Sequence, residues 1–126
     1  MVKSEWYNNL KKSSLNPPDY LFSIVWPILY IMIFMSFINY IKVKSDLIGI
    51  VIFVIQIALN ISWSPVFFES QSPGYALIIL IMMWLSILVN IIYVYKTAPL
   101  SSYLLIPYFL WVSFAGYLNY FIAINN

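Results

Sequence analysis

The six basic and four acidic residues of this chain fall in short clusters and leave four long stretches with no charge at all. Those stretches are Tyr20–Ile41, Leu47–Phe68, Ser70–Tyr95 and Thr97–Asn126. A helix spans a bilayer with about 20 mostly apolar residues, each rising about 1.5 Å against a hydrocarbon core of about 30 Å. A charge at mid-membrane costs at least about 2.5 kcal/mol on insertion scales, so the exclusion of every one of them is a strong signal. The chain reads as an all-α integral membrane protein, an antiparallel bundle of four transmembrane helices.

A barrel would show two-residue alternation, whereas Leu47-Ile48-Gly49-Ile50-Val51-Ile52-Phe53-Val54-Ile55 is continuously apolar. With 126 residues, 63% hydrophobic and 8% charged, there is no room for a soluble domain beside the helices, and residues 1–126 form one membrane domain. The leading segment, residues 1–19, carries no short apolar stretch ending in a small-residue cleavage site, so it does not read as a signal peptide. The absence of cysteine and histidine excludes disulfides, zinc sites, Ser-His-Asp triads and His- or Cys-ligated haem. No metal site and no cofactor is expected. A net charge of +2, scattered along the chain, gives no basis for nucleic-acid binding. With four spans, Lys3, Lys11 and Lys12 lie on one side and Lys42, Lys44 and Lys96 on the other, so the positive-inside rule fixes neither the orientation nor which membrane.

The predicted helices cover about 20–41, 47–68, 74–95 and 101–124. Pro17-Pro18 forces an extended approach to the first, and Pro27 inside it should bend or loosen it. Lys42–Asp46 reads as a tight polar turn, Pro65 falls in the last turn of the second helix, and Pro107 lies inside the fourth. Connections this short predict antiparallel neighbours packed in sequential order.

Gln56, Asn60 and Trp63, at spacings of four and three, share a face of the second helix. Amides at that depth face protein or a cavity, and the pattern fits helix–helix glue and ligand contact equally. Trp26 and Tyr30 repeat the spacing on the first helix; Pro107, Trp111 and Ala115 form a stripe on the fourth, with Tyr108 and Asn119 beside it. Aromatic residues at helical spacing usually mean packing. Membrane tryptophans, however, prefer the interfaces, and indoles deep in three helices shift the balance toward a pocket for a large, planar, mostly apolar ligand. Trp84 lacks polar company and reads as packing.

These residues also carry a resemblance. Trp6-Tyr7, then Pro17-Pro18-x-Tyr20-x-Phe22-x-x-Val25-Trp26-x-x-Leu29-Tyr30, resembles the approach and second helix of the TspO/translocator protein family, also called tryptophan-rich sensory proteins. It continues through Gln56-x-x-x-Asn60-x-x-Trp63-Ser64-x-x-Phe67-Phe68. It ends with Leu104-Leu105-x-Pro107-Tyr108-x-x-Trp111-x-x-Phe114-Ala115-x-x-Leu118-Asn119. Three ordered motifs over nearly the whole chain make the likeness specific. Tyr20 stands where the family usually has Trp.

The resemblance implies the five-helix fold of a commonly dimeric membrane protein that binds porphyrins, and in some members cholesterol or isoquinoline and benzodiazepine-type drugs. By motif match the ligand-binding residues are Tyr7, Trp26, Tyr30, Asn60, Trp63, Trp111 and Ala115, with Asn119 in helix contacts. The motifs correspond to the family's second to fifth helices, which implies a chain without the first. A bundle lacking it would expose a groove for lipid, a second copy or another protein to cover; a start codon assigned too late is the alternative. The function implied is binding or sensing of tetrapyrroles such as protoporphyrin, or their transport. Light- and oxygen-dependent protoporphyrin degradation, with Trp26 and Trp111 as the reacting residues, is the alternative, and binding is favoured over turnover. Cholesterol ranks lower, because the C-terminal Tyr120-Phe121-Ile122-Ala123-Ile124-Asn125-Asn126 lacks the basic residue of the proposed sterol motif. A purely structural membrane protein is a further reading. A four-helix proton antiporter is disfavoured, because no Asp or Glu lies inside a span.

Overall fold

Polar turns and proline-led starts set the limits of the helices in the computed structural model, which describes residues 19–44, 46–70 and 72–125. The leading segment with Tyr7 lies outside the described residues. Helix α1 is Asp19–Val43 and α2 is Leu47–Ser64, continued by a π-helical turn at Pro65–Glu69. Helix α3 is Pro73–Tyr95 and α4 is Pro99–Asn125. All four are long and apolar enough to cross a membrane, and there is no strand among the described residues. The protein is a multi-pass helical membrane bundle.

Local chemistry accounts for the boundaries. Asp46, in an extended conformation, caps α2 by accepting the Gly49 N–H at 3.0 Å. Pro73 and Pro99 open α3 and α4, where a missing N–H costs nothing. Pro65 has no N–H to give to the preceding turn, and the helix widens there, with Ser70 N–H reaching back to Pro65 O at 3.0 Å. Both α1 and α4 run on through Pro27 and Pro107, whose rings lie on the outer faces.

The bundle is apolar outside and partly polar within. Each helix buries one stripe: Leu29, Ile33, Ser36 and Tyr40 on α1; Gly49, Phe53, Gln56 and Asn60 on α2; Ala76, Leu80, Met83, Ile87, Asn90 and Val94 on α3. On α4 the stripe is Ser101, Leu105, Tyr108, Val112, Ala115, Asn119 and Ile122. Ile31, Phe34, Val54 and Leu110 instead point outward, where hydrocarbon receives them. Lipid removes the hydrophobic drive for helices to associate, so close packing and hydrogen bonds decide which ones pair.

That rule corrects the expected sequential order. Helices α2 and α3 pack together, as do α3 and α4, but α1 lies against α4 and scarcely approaches the α2 backbone. Small side chains bring α1 and α4 together. Ser36 Oγ donates to Ser101 O at 2.7 Å, Ser101 Oγ donates back to Ser36 O at 2.8 Å, and Asn39 Nδ2 donates to Ser101 Oγ at 2.9 Å. Large side chains hold α1 and α2 apart, with ring centroids 5.1 Å apart for Phe37–Phe53 and 5.8 Å for Tyr40–Phe53.

A candidate ligand site between the helices

The space between α1 and α2 is bridged by a chain of polar side chains. Tyr30 OH donates to Asn60 Oδ1 at 2.7 Å, Asn60 Nδ2 donates to Tyr108 OH at 2.7 Å, and Tyr108 OH donates to Gln56 Oε1 at 3.0 Å. Asn60 is 4% exposed, and Gln56 and Tyr108 are fully buried. An interhelical hydrogen bond of this kind is worth about 0.6 kcal/mol on average, so the chain fixes geometry more than it adds stability. Gln56 Nε2 has no partner among the described residues, a buried donor left over at the inner end of the chain.

The aromatic part joins this chain at Tyr30. The Trp26 and Tyr30 rings lie 5.8 Å apart, and Trp26 meets Trp111 of α4 edge-on at 6.4 Å. Trp26 and Trp111 are half-buried, while Tyr30 is 44% exposed although its hydroxyl is bonded, so part of its ring is open. Exposed ring surface beside two indoles offers stacking area to a flat molecule.

Four of the sequence-predicted site residues, Trp26, Tyr30, Asn60 and Trp111, therefore lie in one connected group. Trp63, one turn beyond Asn60 on α2, directs its hydrogen bond to α4. Its Nε1 donates to Asn119 Oδ1 at 2.9 Å, and its ring stacks on Phe67 at 5.2 Å, one turn along through Pro65. Asn119 Nδ2 donates to Pro73 O at 2.9 Å, so this amide ties α2, α3 and α4. Ala115 is buried in the core one turn beyond Trp111. Tyr7 falls outside the described residues.

Two features escaped the sequence reading. Tyr108 is the hub linking Asn60 to Gln56, and its place one residue after Pro107 hid it behind the proline stripe; its spacing of three from Leu105 and four from Val112 would have put it on the buried face. Trp84 does have polar company: its Nε1 donates to Ser113 Oγ at 2.7 Å across the α3–α4 seam, while its ring packs on Phe109 at 5.0 Å. It remains a packing residue, anchored by a serine that sequence spacing could not pair with it.

Comparison with known proteins decides the ancestry. The model of the TspO/MBR family matches residues 1–124. The chain belongs to that family. It is 40% identical to the tryptophan-rich protein TspO of Chlorobaculum tepidum, over 98% of this chain and 80% of that protein. It is 33% identical to protein CrtK of Rhodobacter capsulatus, over 91% of this chain and 74% of that protein. The human translocator protein is 30% identical over 96% of this chain and 75% of its own length. Family membership and four spanning helices together make this an integral, multi-pass membrane protein.

Proposed function

We propose that the chain binds or senses a tetrapyrrole such as protoporphyrin between α1, α2 and α4. The observation that carries the reading is the junction at Tyr30, where the Trp26–Trp111 pair meets the Tyr30–Asn60–Tyr108–Gln56 chain. A porphyrin needs a large apolar contact face and a few hydrogen-bonding groups at its rim. The indoles and the Tyr30 ring supply the first, and the Tyr30 hydroxyl with the Asn60 amide behind it supplies the second. Titration of the folded protein with protoporphyrin should quench tryptophan fluorescence saturably, and Trp111→Phe should weaken the apparent affinity about tenfold, the loss of roughly 1.4 kcal/mol of stacking. Linear, unsaturable quenching would sink the reading.

The edge-on meeting of Trp26 and Trp111 supports a second reading, light- and oxygen-dependent breakdown of the bound porphyrin. The macrocycle would be its own photosensitiser, so the protein would only hold it against oxidisable indoles. Illumination in air separates the two. A product spectrum formed by the wild type and absent from Trp26→Phe and Trp111→Phe favours turnover; unchanged porphyrin favours binding alone.

A further inference from the structure

At the end of the bundle away from Trp63, the turn joining α1 to α2 meets the turn joining α3 to α4. The charges at this end are Lys42, Lys44, Lys96 and Asp46, whereas Asp19 and Glu69 belong to the other end among the described residues. Between the two turns lies a recess of about 400 Å³ lined by Lys44, Asp46, Ile92, Tyr93, Lys96 and Thr97. Its one carboxylate is occupied from within: Asp46 Oδ1 accepts Tyr40 OH and the Gly49 N–H, and Oδ2 accepts Tyr93 OH at 2.5 Å. Lys44 and Lys96 are exposed, so two ammonium groups face one carboxylate and the recess is net positive. Ile92, on the same wall, is 63% exposed on the outer face of α3, where acyl chains pack.

We infer that this recess holds the phosphate of an anionic phospholipid, with Lys44, Lys96 and the Thr97 hydroxyl as donors and Ile92 bordering the first carbons of the acyl chain. The depth fits: both lysines lie just beyond the spans, and the edge-on pair Tyr95–Tyr103 marks the interfacial belt beside them. Charge selects the headgroup. A zwitterionic lipid would bring a third ammonium group to a site that already has two, whereas an anionic one balances the excess. The flat apolar site near Tyr30 plays no part in this, so either assignment can fail alone.

The test uses the full chain with equimolar phosphatidylglycerol and phosphatidylcholine, reading retained lipid by native mass spectrometry and affinity by titration into nanodiscs. Phosphatidylglycerol should be retained selectively. Lys44→Gln and Lys96→Gln should each weaken it about fivefold, and the double variant about 25-fold. Lys42→Gln, at the same end but outside the recess, should leave it unchanged. Circular dichroism checks the fold, and the single variants serve should the double variant lose helicity. Wild-type retention in the lysine variants would overturn the proposal, as would an equal loss in Lys42→Gln, which would mark general surface attraction. Inorganic phosphate binding as tightly as phosphatidylglycerol would overturn the lipid assignment in favour of a free phosphate.

Discussion

The two ends of this bundle hold α1 and α2 in different ways. At the turn end, Tyr40 from α1 and Tyr93 from α3 both donate to Asp46 at the start of α2, and the reciprocal Ser36–Ser101 bonds draw α1 onto α4. Small residues and a charged acceptor make that end closed and over-determined. Toward the other end the link between α1 and α2 is the Tyr30–Asn60 bond, extended inward by Tyr108 and Gln56 and flanked by indoles. Trp26, Tyr30 and Trp111 gather at this level, and the Tyr30 ring keeps part of its surface exposed. One end is thus tied around a carboxylate, whereas the other carries the proposed site.

The largest expected effect breaks the closed end. A Cβ on Gly49 would overlap the Tyr40 ring, so Gly49→Val should displace Tyr40 from Asp46 and destabilise the protein by about 1–3 kcal/mol, the usual cost of overpacking. Thermal unfolding in detergent measures this, and an unchanged midpoint would show that the Tyr40 contact is dispensable. A smaller effect of opposite sign is expected at Asn90, fully buried on α3 with both amide atoms unpartnered among the described residues. Asn90→Leu should stabilise the protein by about 1 kcal/mol by removing desolvated polar atoms. Destabilisation instead would reveal a bridging water.

Smallest is the response to acid. The Tyr40 and Tyr93 hydroxyls, with the Gly49 N–H at the cap, hold the Asp46 carboxyl below the usual carboxylate range. A group whose pKa is depressed by folding stabilises while ionised, so its contribution is present at neutral pH and is lost as pH falls through the lowered value. Stability should therefore begin to decline as pH enters the ordinary carboxylate range and go on declining until the lowered value is passed. Asp46→Asn should flatten that decline, and an unaltered acid profile would remove Asp46 from the account.

The spans were legible because a charge inside hydrocarbon is so costly that its absence marks each helix. Which face turns inward was less so. Outward residues such as Phe34 and Val54 are as apolar as buried Ile33 and Phe53, so periodicity of hydrophobicity carries little signal in lipid. Polar residues carry it instead, and the spacing of Gln56 and Asn60 marks the inner face of α2. The pairing of α1 with α4 was hidden, because Ser36 and Ser101 are 65 positions apart and serine is unremarked in a turn or a helix alike. Asp46 passed as an ordinary turn charge for the same reason: its partners Tyr40 and Tyr93 come from different helices.

The most direct measurement is a protoporphyrin titration of two variants side by side, Asn60→Ala at the open end and Asp46→Asn at the closed end. The account predicts that Asn60→Ala weakens binding about tenfold, a loss typical of a bonded polar group removed from a site, while Asp46→Asn leaves the affinity at the wild-type value. Equal affinities for Asn60→Ala and the wild type, in a folded and saturable sample, would contradict the placement of the site.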